Sequence, residues 1–138
     1  MSNVVQLDEG CQAVLDAETG HAAMPALYIR LFTNNVTPDN TFDHTSFTEA
    51  TFTGYSSMAL PDPGASTVSA HIAASAYAAQ SFTITAGSQN IYGWYITNSA
   101  ATKAYWAQRD AGAPVGMSSA GLNVLSYAIT LKQKDVNT

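Results

Sequence analysis

One stretch of the chain reads Ile91-Tyr92-Gly93-Trp94-Tyr95-Ile96-Thr97, and it carries large apolar side chains on both of its alternating faces. β-Branched and aromatic residues favour the pleated, packed environment of a sheet. A strand that is apolar on both faces is expected in the middle of a sheet, covered from both sides. The polar turn at residues 98–101 then returns the chain, so residues 103–108 are predicted to pair with this strand as a hairpin.

Strand patterns continue on both sides of this hairpin. Between Leu27 and Phe32 the aliphatic side chains occupy every second position, which is the period-2 pattern of a strand. Further strands are predicted at residues 55–60, 67–72, 77–85 and 123–132, with turns or loops at residues 33–40, 61–64, 86–89 and 110–121. Residues 41–54 are interpreted as a strand or an extended arm. The alanines of residues 70–79 leave a helix open there.

These patterns predict about seven or eight short strands at a spacing of roughly 8–12 residues. No internal repeat is found that would indicate a propeller or a solenoid. The predicted fold class is therefore all-β, an antiparallel β-sandwich or jelly-roll-like fold. Residues 23–138 are predicted to form this one domain.

Residues 1–22 differ from the rest of the chain and are interpreted as a short N-terminal helix or an ordered arm. Leu7, Cys11 and Val14 recur at helical spacing, and the acidic residues before Cys11 suit a first helical turn. Cys11 is expected to be a small buried side chain rather than a reactive thiol. A lone cysteine forms no internal disulfide, which fits synthesis in a reducing cytosol.

The charge content is low, and this argues against several classes of partner. Charged residues make up 11% of the chain, against about 25% in average proteins, and the formal net charge is −5. The five basic residues form no cluster that could neutralise phosphates, so no nucleic acid or anionic membrane surface is expected as partner. The first residues lack the basic and apolar regions of a secretory signal, and no stretch approaches the ~20 apolar residues of a membrane span.

The residues that most often carry chemistry are scattered. His21, His44 and His71 are isolated from one another, so no metal site and no cofactor are predicted. No Gly-x-Ser-x-Gly elbow and no phosphate-binding loop is present. The chain is therefore predicted not to be an enzyme. A hydrolase that uses His44 or Glu49 is a distant alternative.

Five aromatic residues are concentrated in the central hairpin, namely Tyr92, Trp94, Tyr95, Tyr105 and Trp106. One interpretation is a sugar-stacking platform, as in a carbohydrate-binding module. Alternation sends Tyr92 and Trp94 to one face and Tyr95 to the other, whereas a flat platform needs its rings on one face. The pattern therefore favours packing in the core and at a subunit contact.

Four segments in order carry a resemblance to a known group of proteins. They are residues 27–38, 47–55, 91–98 and 105–109, which span most of the region from residue 25 to residue 132. The series resembles small proteins encoded among the structural genes of tailed bacteriophages, although the alanine-rich residues 70–79 depart from it. The resemblance implies a virion component and brings no catalytic residues with it.

Within that group, the expected role is a capsid cement or decoration protein, assembled into the virion in the cytoplasm of the host bacterium. Its expected partners are the major capsid protein and further copies of itself, as a dimer or trimer. Alternatives are a tail or neck component of the virion, or a carbohydrate-binding module. The predicted contact residues come from the N-terminal segment, the loop at residues 34–40 and the phenylalanine-rich segment, and they are Val4, Val5, Leu7, Asn34, Asn35, Phe42, Phe47 and Phe52.

Overall fold

The computed structural model describes residues 4–70 and 72–133, and within them it is mostly β, with 39% strand and 11% helix. The one helix, α1, spans Asp8–Glu18. The strands are β1 (Val5–Gln6), β2 (Tyr28–Phe32), β3 (Met58–Ala59), β4 (Thr67–Ser69), β5 (Ile72–Ala76), β6 (Gln80–Thr83), β7 (Ser88–Ile91), β8 (Gly93–Thr97), β9 (Ala104–Arg109), β10 (Val115–Ser118), β11 (Val124–Tyr127) and β12 (Thr130–Lys132). All pairings are antiparallel, so the predicted all-β, sandwich-like class with a short N-terminal helix is confirmed.

A five-stranded sheet with the order β1-β9-β8-β2-β3 forms the first layer. β8 lies at its centre, and Trp94 pairs with Leu31 of β2 on one side and with Gln108 of β9 on the other. The predictions of a central strand and of a β8–β9 hairpin are therefore confirmed. All five residues of β8 are buried because both faces of the sheet are covered.

The second layer is a long antiparallel ribbon that continues outward from the β8–β9 hairpin. β7 pairs with β10, β6 with β11, and β5 with β12. The segment that precedes β8, residues 72–92, therefore runs antiparallel beside the segment that follows β9, residues 110–132. β4 adds a further strand beside β5. We call β4 to β7 together with β10 to β12 the ribbon layer.

The core lies between the two layers and extends to the far side of the central sheet. The larger buried cluster joins Ile29, Trp94 and Ile96 of the central sheet to Phe82 and Leu131 of the ribbon layer. The smaller cluster, on the other face, is formed by Leu7, Phe32, Phe47, Tyr95, Ala104 and Ala107. The two clusters account for the apolar pattern on both faces of residues 91–97.

The N-terminal residues are part of this architecture. Val5 pairs with Ala107 at the edge of the central sheet, and Leu7 is fully buried. α1 packs so closely on β9 that a Cβ at Gly10 would lie 2.2 Å from the backbone oxygen of Tyr105. Of the two alternatives for this segment, the structure shows the helix. Cys11 is exposed, so the prediction that it is buried is wrong.

Several local predictions are wrong, and the errors have a common cause. The predicted loop at residues 110–121 contains β10, and the predicted turn at residues 86–89 contains the start of β7. These two strands have only four residues each, and they pair with each other along their length. Ile91 and Met117 anchor them in the larger core cluster. The alanine-rich residues 70–79 contain β5 rather than a helix. Residues 41–54 are mainly irregular, with a 3-10 turn at His44–Ser46.

Within the described part of the chain, no helix combines the length and apolar character needed to cross a membrane.

The turn between β8 and β9 contains a strained alanine, which gives a testable prediction. Ala101 has φ of 56°, in the left-handed region where a Cβ costs roughly 1–2 kcal/mol. Ala101→Gly removes this strain but adds the entropic cost of glycine, about 0.5–1 kcal/mol. We therefore expect the variant to raise the free energy of unfolding by about 0.5 kcal/mol in urea titrations. Ala100→Gly is the matched control, because Ala100 is not at positive φ and should gain nothing.

Candidate functional site: surfaces for association

A partly buried ion pair fastens the irregular residues 41–55 to the central sheet. Both carboxylate oxygens of Glu49 accept from Arg30 Nη1, at 3.0 and 2.8 Å. Arg30 lies on β2, and its Nε donates to the hydroxyl of Thr97 on β8 at 2.8 Å. The guanidinium thus joins two strands and the carboxylate of a loop, with only 10% of the Arg30 side chain exposed.

Tyr55 completes this cluster. Its hydroxyl donates to Glu49 Oε2 at 2.7 Å and accepts from the backbone N–H of Leu31 at 3.2 Å. Burial, and then the hydrogen bond to Glu49, raise the pKa of the Tyr55 phenol far above its usual range. The phenol therefore stays protonated as a donor. Glu49 thus accepts hydrogen bonds from two side chains and holds this loop against the central sheet.

The predicted loop contacts are also engaged within the chain. The side-chain Nδ2 of Asn34 donates to the backbone oxygen of Ser46 at 2.9 Å. The Oδ1 of Asn34 accepts from the backbone N–H of Thr48 at 2.9 Å. Phe47 stacks on Tyr95 at 4.5 Å between ring centroids, and Phe42 packs edge-on against Phe47 at 5.7 Å. Asn34 and Phe47 therefore connect the loops to the core.

Three of the predicted contact residues require correction. Leu7 is 0% exposed, Phe47 7% and Phe52 8%, so these side chains have almost no surface to offer a partner. Their apolar character reflects packing in the core. Among the remaining predicted contacts, Asn35 is exposed, and Val4, Val5, Asn34 and Phe42 are partly buried.

The aromatic residues of the central hairpin form no open platform. Trp94, Tyr95, Tyr105 and Trp106 are each no more than 6% exposed. Tyr92 is half-buried, and its ring is covered by the guanidinium of Arg109, 5.4 Å from the ring centroid. Sugar stacking needs an exposed ring face, which these residues do not provide.

Other candidate sites are limited in the described residues. No group of three or more His, Cys, Asp or Glu side chains able to hold a metal ion is found among them. His21 is exposed, His44 lies in the 3-10 turn, and His71 lies outside the described residues. A groove of about 280 Å³ runs between α1 and the β5–β12 pair, with Trp106 and Leu131 among its lining residues. It is at the small end of the range of ligand pockets, about 300–1,000 Å³.

The distribution of charge is the most distinctive surface feature. No Asp, Glu, Lys or Arg occurs in residues 63–102 or 111–131. These ranges contain the whole ribbon layer except Lys132, at the end of β12. The two uninterrupted uncharged runs are visible in the sequence and could have been used to predict a neutral surface in these residues. The low total charge of the chain does not indicate where such a surface lies.

The strands of the same layer carry two of the four exposed large hydrophobic side chains of the described residues, and the layer has an open edge. Four large hydrophobic residues are exposed in the described chain, and only Leu15 lies on α1; the others are Val68, Leu122 and Val124. Val68 is the most exposed, at 72%, and is the middle residue of β4. β4 pairs only with β5 among the described strands, so its other edge is open. The ribbon layer therefore combines a neutral surface with an unpaired strand edge, a combination suited to association.

Comparison with known proteins yields no match: no protein-family model, no curated protein and no solved structure is similar to the chain.

The loop at residues 39–46 is held by two exposed carboxylates, and this predicts an acid-sensitive local structure. The hydroxyl and backbone N–H of Thr45 donate to Asp43, and those of Thr41 donate to Asp39. These hydrogen bonds lower the pKa of both carboxyls below their usual 3.8. The folded state thus binds fewer protons, so the stabilisation is present above pH 3.8 and is lost as the pH falls through the lowered pKa.

We expect the amide resonances of Thr41 and Thr45 to shift together in an NMR titration below pH 3.8. Asp43→Asn should remove the shift at Thr45 and leave the shift at Thr41 unchanged. A wild-type Thr45 resonance that does not move with pH would contradict the hydrogen bonds from Thr45 to Asp43.

Proposed function

We propose that the protein is a non-enzymatic structural component of a tailed-phage virion, and specifically a capsid cement or decoration protein. It binds the lattice of the major capsid protein, associates with further copies of itself and stabilises the shell. The virion assignment is supported by the resemblance of four ordered segments to small phage structural proteins. The association role is supported by the surface.

The observation that carries the proposal is the ribbon layer, which is uncharged except for Lys132 at the end of β12. A neutral surface of small polar and apolar side chains loses little solvation free energy when a neighbour covers it, because no strongly hydrated ion is stripped of water. A cement protein contacts a lattice many times over, so weak single contacts add up through avidity. The chain is neutral over two long runs of sequence, residues 63–102 and 111–131. Such a surface costs little to desolvate and suits many weak, repeated contacts.

The experiment is cryo-electron microscopy of particles of the virus that encodes the chain, combined with quantitative mass spectrometry of the same particles. We expect density for the chain on the outer shell, with a copy number that matches the number of equivalent lattice positions. A copy number that matches the portal or tail symmetry would instead support the alternative of a neck or tail component. Absence from purified particles would overturn both.

A matched functional measurement uses particles that lack the chain. Addition of the purified protein should raise the temperature at which these particles release their genome, because a bound cement protein must be removed before the shell opens. An unchanged release temperature at saturating protein would contradict the stabilising role. The carbohydrate-binding alternative is addressed by a glycan array, but no exposed aromatic platform favours it.

A further inference from the structure

We propose that two copies of this chain associate through the open edge of β4, with Val68 on a two-fold axis, to form one sheet that continues across both copies. This inference specifies the self-association included in the proposed function. It concerns the isolated protein in solution, so it can fail or hold independently of capsid binding.

The backbone of β4 is oriented for this pairing. Val68 lies opposite Ala73 of β5, and the backbone oxygen of Ala73 accepts from the N–H of Gln133, on the far side of β5. In an antiparallel pair the N–H and C=O of one residue point to the same side of the strand. The backbone N–H and C=O of Ala73 therefore both point toward β12 and away from β4. Val68 and Ala73 are thus a non-hydrogen-bonded pair. The N–H and C=O of Val68 therefore point to the open edge.

This geometry gives a self-complementary edge. When two β4 strands meet antiparallel across a two-fold axis at Val68, each Val68 donates its N–H to the C=O of the other copy. All three residues of β4 are exposed. The strand also lacks the lysine or proline with which monomeric proteins commonly block an edge.

The charge distribution favours a second copy over a different protein as the occupant. A two-fold contact centred on Val68 places Val68 opposite itself and Thr67 opposite Ser69 of the other copy. A charge at the axis residue would face a like charge, which is destabilising, and all three residues of β4 are uncharged. Residues 63–102, which include β4, carry no Asp, Glu, Lys or Arg. The groove beside β5 is lined by Glu18 and Lys132, whose charges are opposite, so these two residues together add no net charge there.

The test is sedimentation velocity of the purified chain over a wide range of concentration. We expect reversible association of the wild type. Val68→Pro removes the outward N–H of β4, and proline is accepted at an edge strand whose N–H faces solvent, so the β4–β5 pairing should persist. The variant should bind its second copy at least about tenfold more weakly, because two symmetric hydrogen bonds are lost. Val68→Thr keeps the N–H and the β-branched shape, and is expected to associate like the wild type.

A second measurement does not depend on the folding of the proline variant. In a hydrogen-bonded antiparallel pair the two Cα atoms are about 5.5 Å apart, within the range of a disulfide. Val68→Cys in a Cys11→Ser background should therefore form an intermolecular disulfide under mild oxidation. Leu122→Cys in the same background is the control, since Leu122 is exposed between β10 and β11 but lies off the β4 edge, and this variant should remain reduced.

Three results would overturn the proposal. They are a wild type that stays monomeric at every concentration, a Val68→Pro variant that associates as strongly as the wild type, and equal cross-linking at positions 68 and 122. If the wild type is monomeric but Val68→Pro lowers binding to viral particles, the occupant of the edge is the capsid and not a second copy.

Discussion

Gly93→Ala is expected to lower the free energy of unfolding by about 3 kcal/mol or more, a large fraction of the roughly 5–15 kcal/mol typical of a native domain. A Cβ at this position would lie 2.1 Å from the backbone oxygen of Gln108 and 2.8 Å from the ring of Phe32. The oxygen of Gln108 belongs to β9, next to β8 at the centre of the sheet, so it cannot move without breaking strand pairing. Urea unfolding followed by tryptophan fluorescence gives the free energy change.

Gly116→Ala is the matched control for this prediction. Gly116 also lies in a strand, β10, but a Cβ added there would meet Asn90 Oδ1 as its nearest neighbour at 3.5 Å, an ordinary contact. Its free energy of unfolding should stay within about 0.5 kcal/mol of the wild type. Equal losses at positions 93 and 116 would show that glycine flexibility, and not the close approach of β9, explains the effect.

Glu49→Ala is expected to cost about 2–4 kcal/mol, because it leaves the buried guanidinium of Arg30 without its carboxylate. The figure lies below that for a fully buried pair, since the Glu49 side chain is 32% exposed and solvent screens part of the interaction. The measurement is the midpoint of urea unfolding at neutral pH.

A double replacement separates the pair from the packing around it. Arg30→Met combined with Glu49→Leu removes both charges and keeps apolar volume, so it should be less destabilising than Glu49→Ala alone. Tyr55→Phe removes one donor to Glu49 and should cost about 1 kcal/mol. A double variant that is less stable than Glu49→Ala would mean that Arg30 acts through its packing and its bonds to β8 rather than through the ion pair.

The sequence predicted the parts of the fold that depend on local apolar periodicity. The central strand at residues 91–97, its hairpin partner and the strand at residues 28–32 were found because large side chains alternate there. β7 and β10 were missed because each has only four residues and its pairing partner lies more than twenty positions away, so neither gives a local pattern long enough to predict a strand.

The candidate surfaces were less predictable. Phe47 and Phe52 were expected at an interface because residues 41–54 were interpreted as a strand or an extended arm, but the segment folds back over the central sheet and these side chains are buried. The burial of Arg30 depends on Glu49, nineteen residues later, and spacing alone does not reveal that contact. The outward direction of the Val68 N–H and C=O follows from the register of β4, β5 and β12. The sequence alone does not reveal this register.

The nested pairing of the ribbon has a consequence for the order of folding. The turn at residues 98–103 brings β8 and β9 together with a short loop closure. Each later pair, from β7 with β10 to β5 with β12, begins where the previous pair ends, so its strands are already held close. The strand pairs can therefore form one after another, starting from the β8–β9 hairpin. Pairing of residues 76 and 130 then does not require the whole loop between them to close in one step. A protein rich in long-range pairs thus assembles through a series of short-range steps.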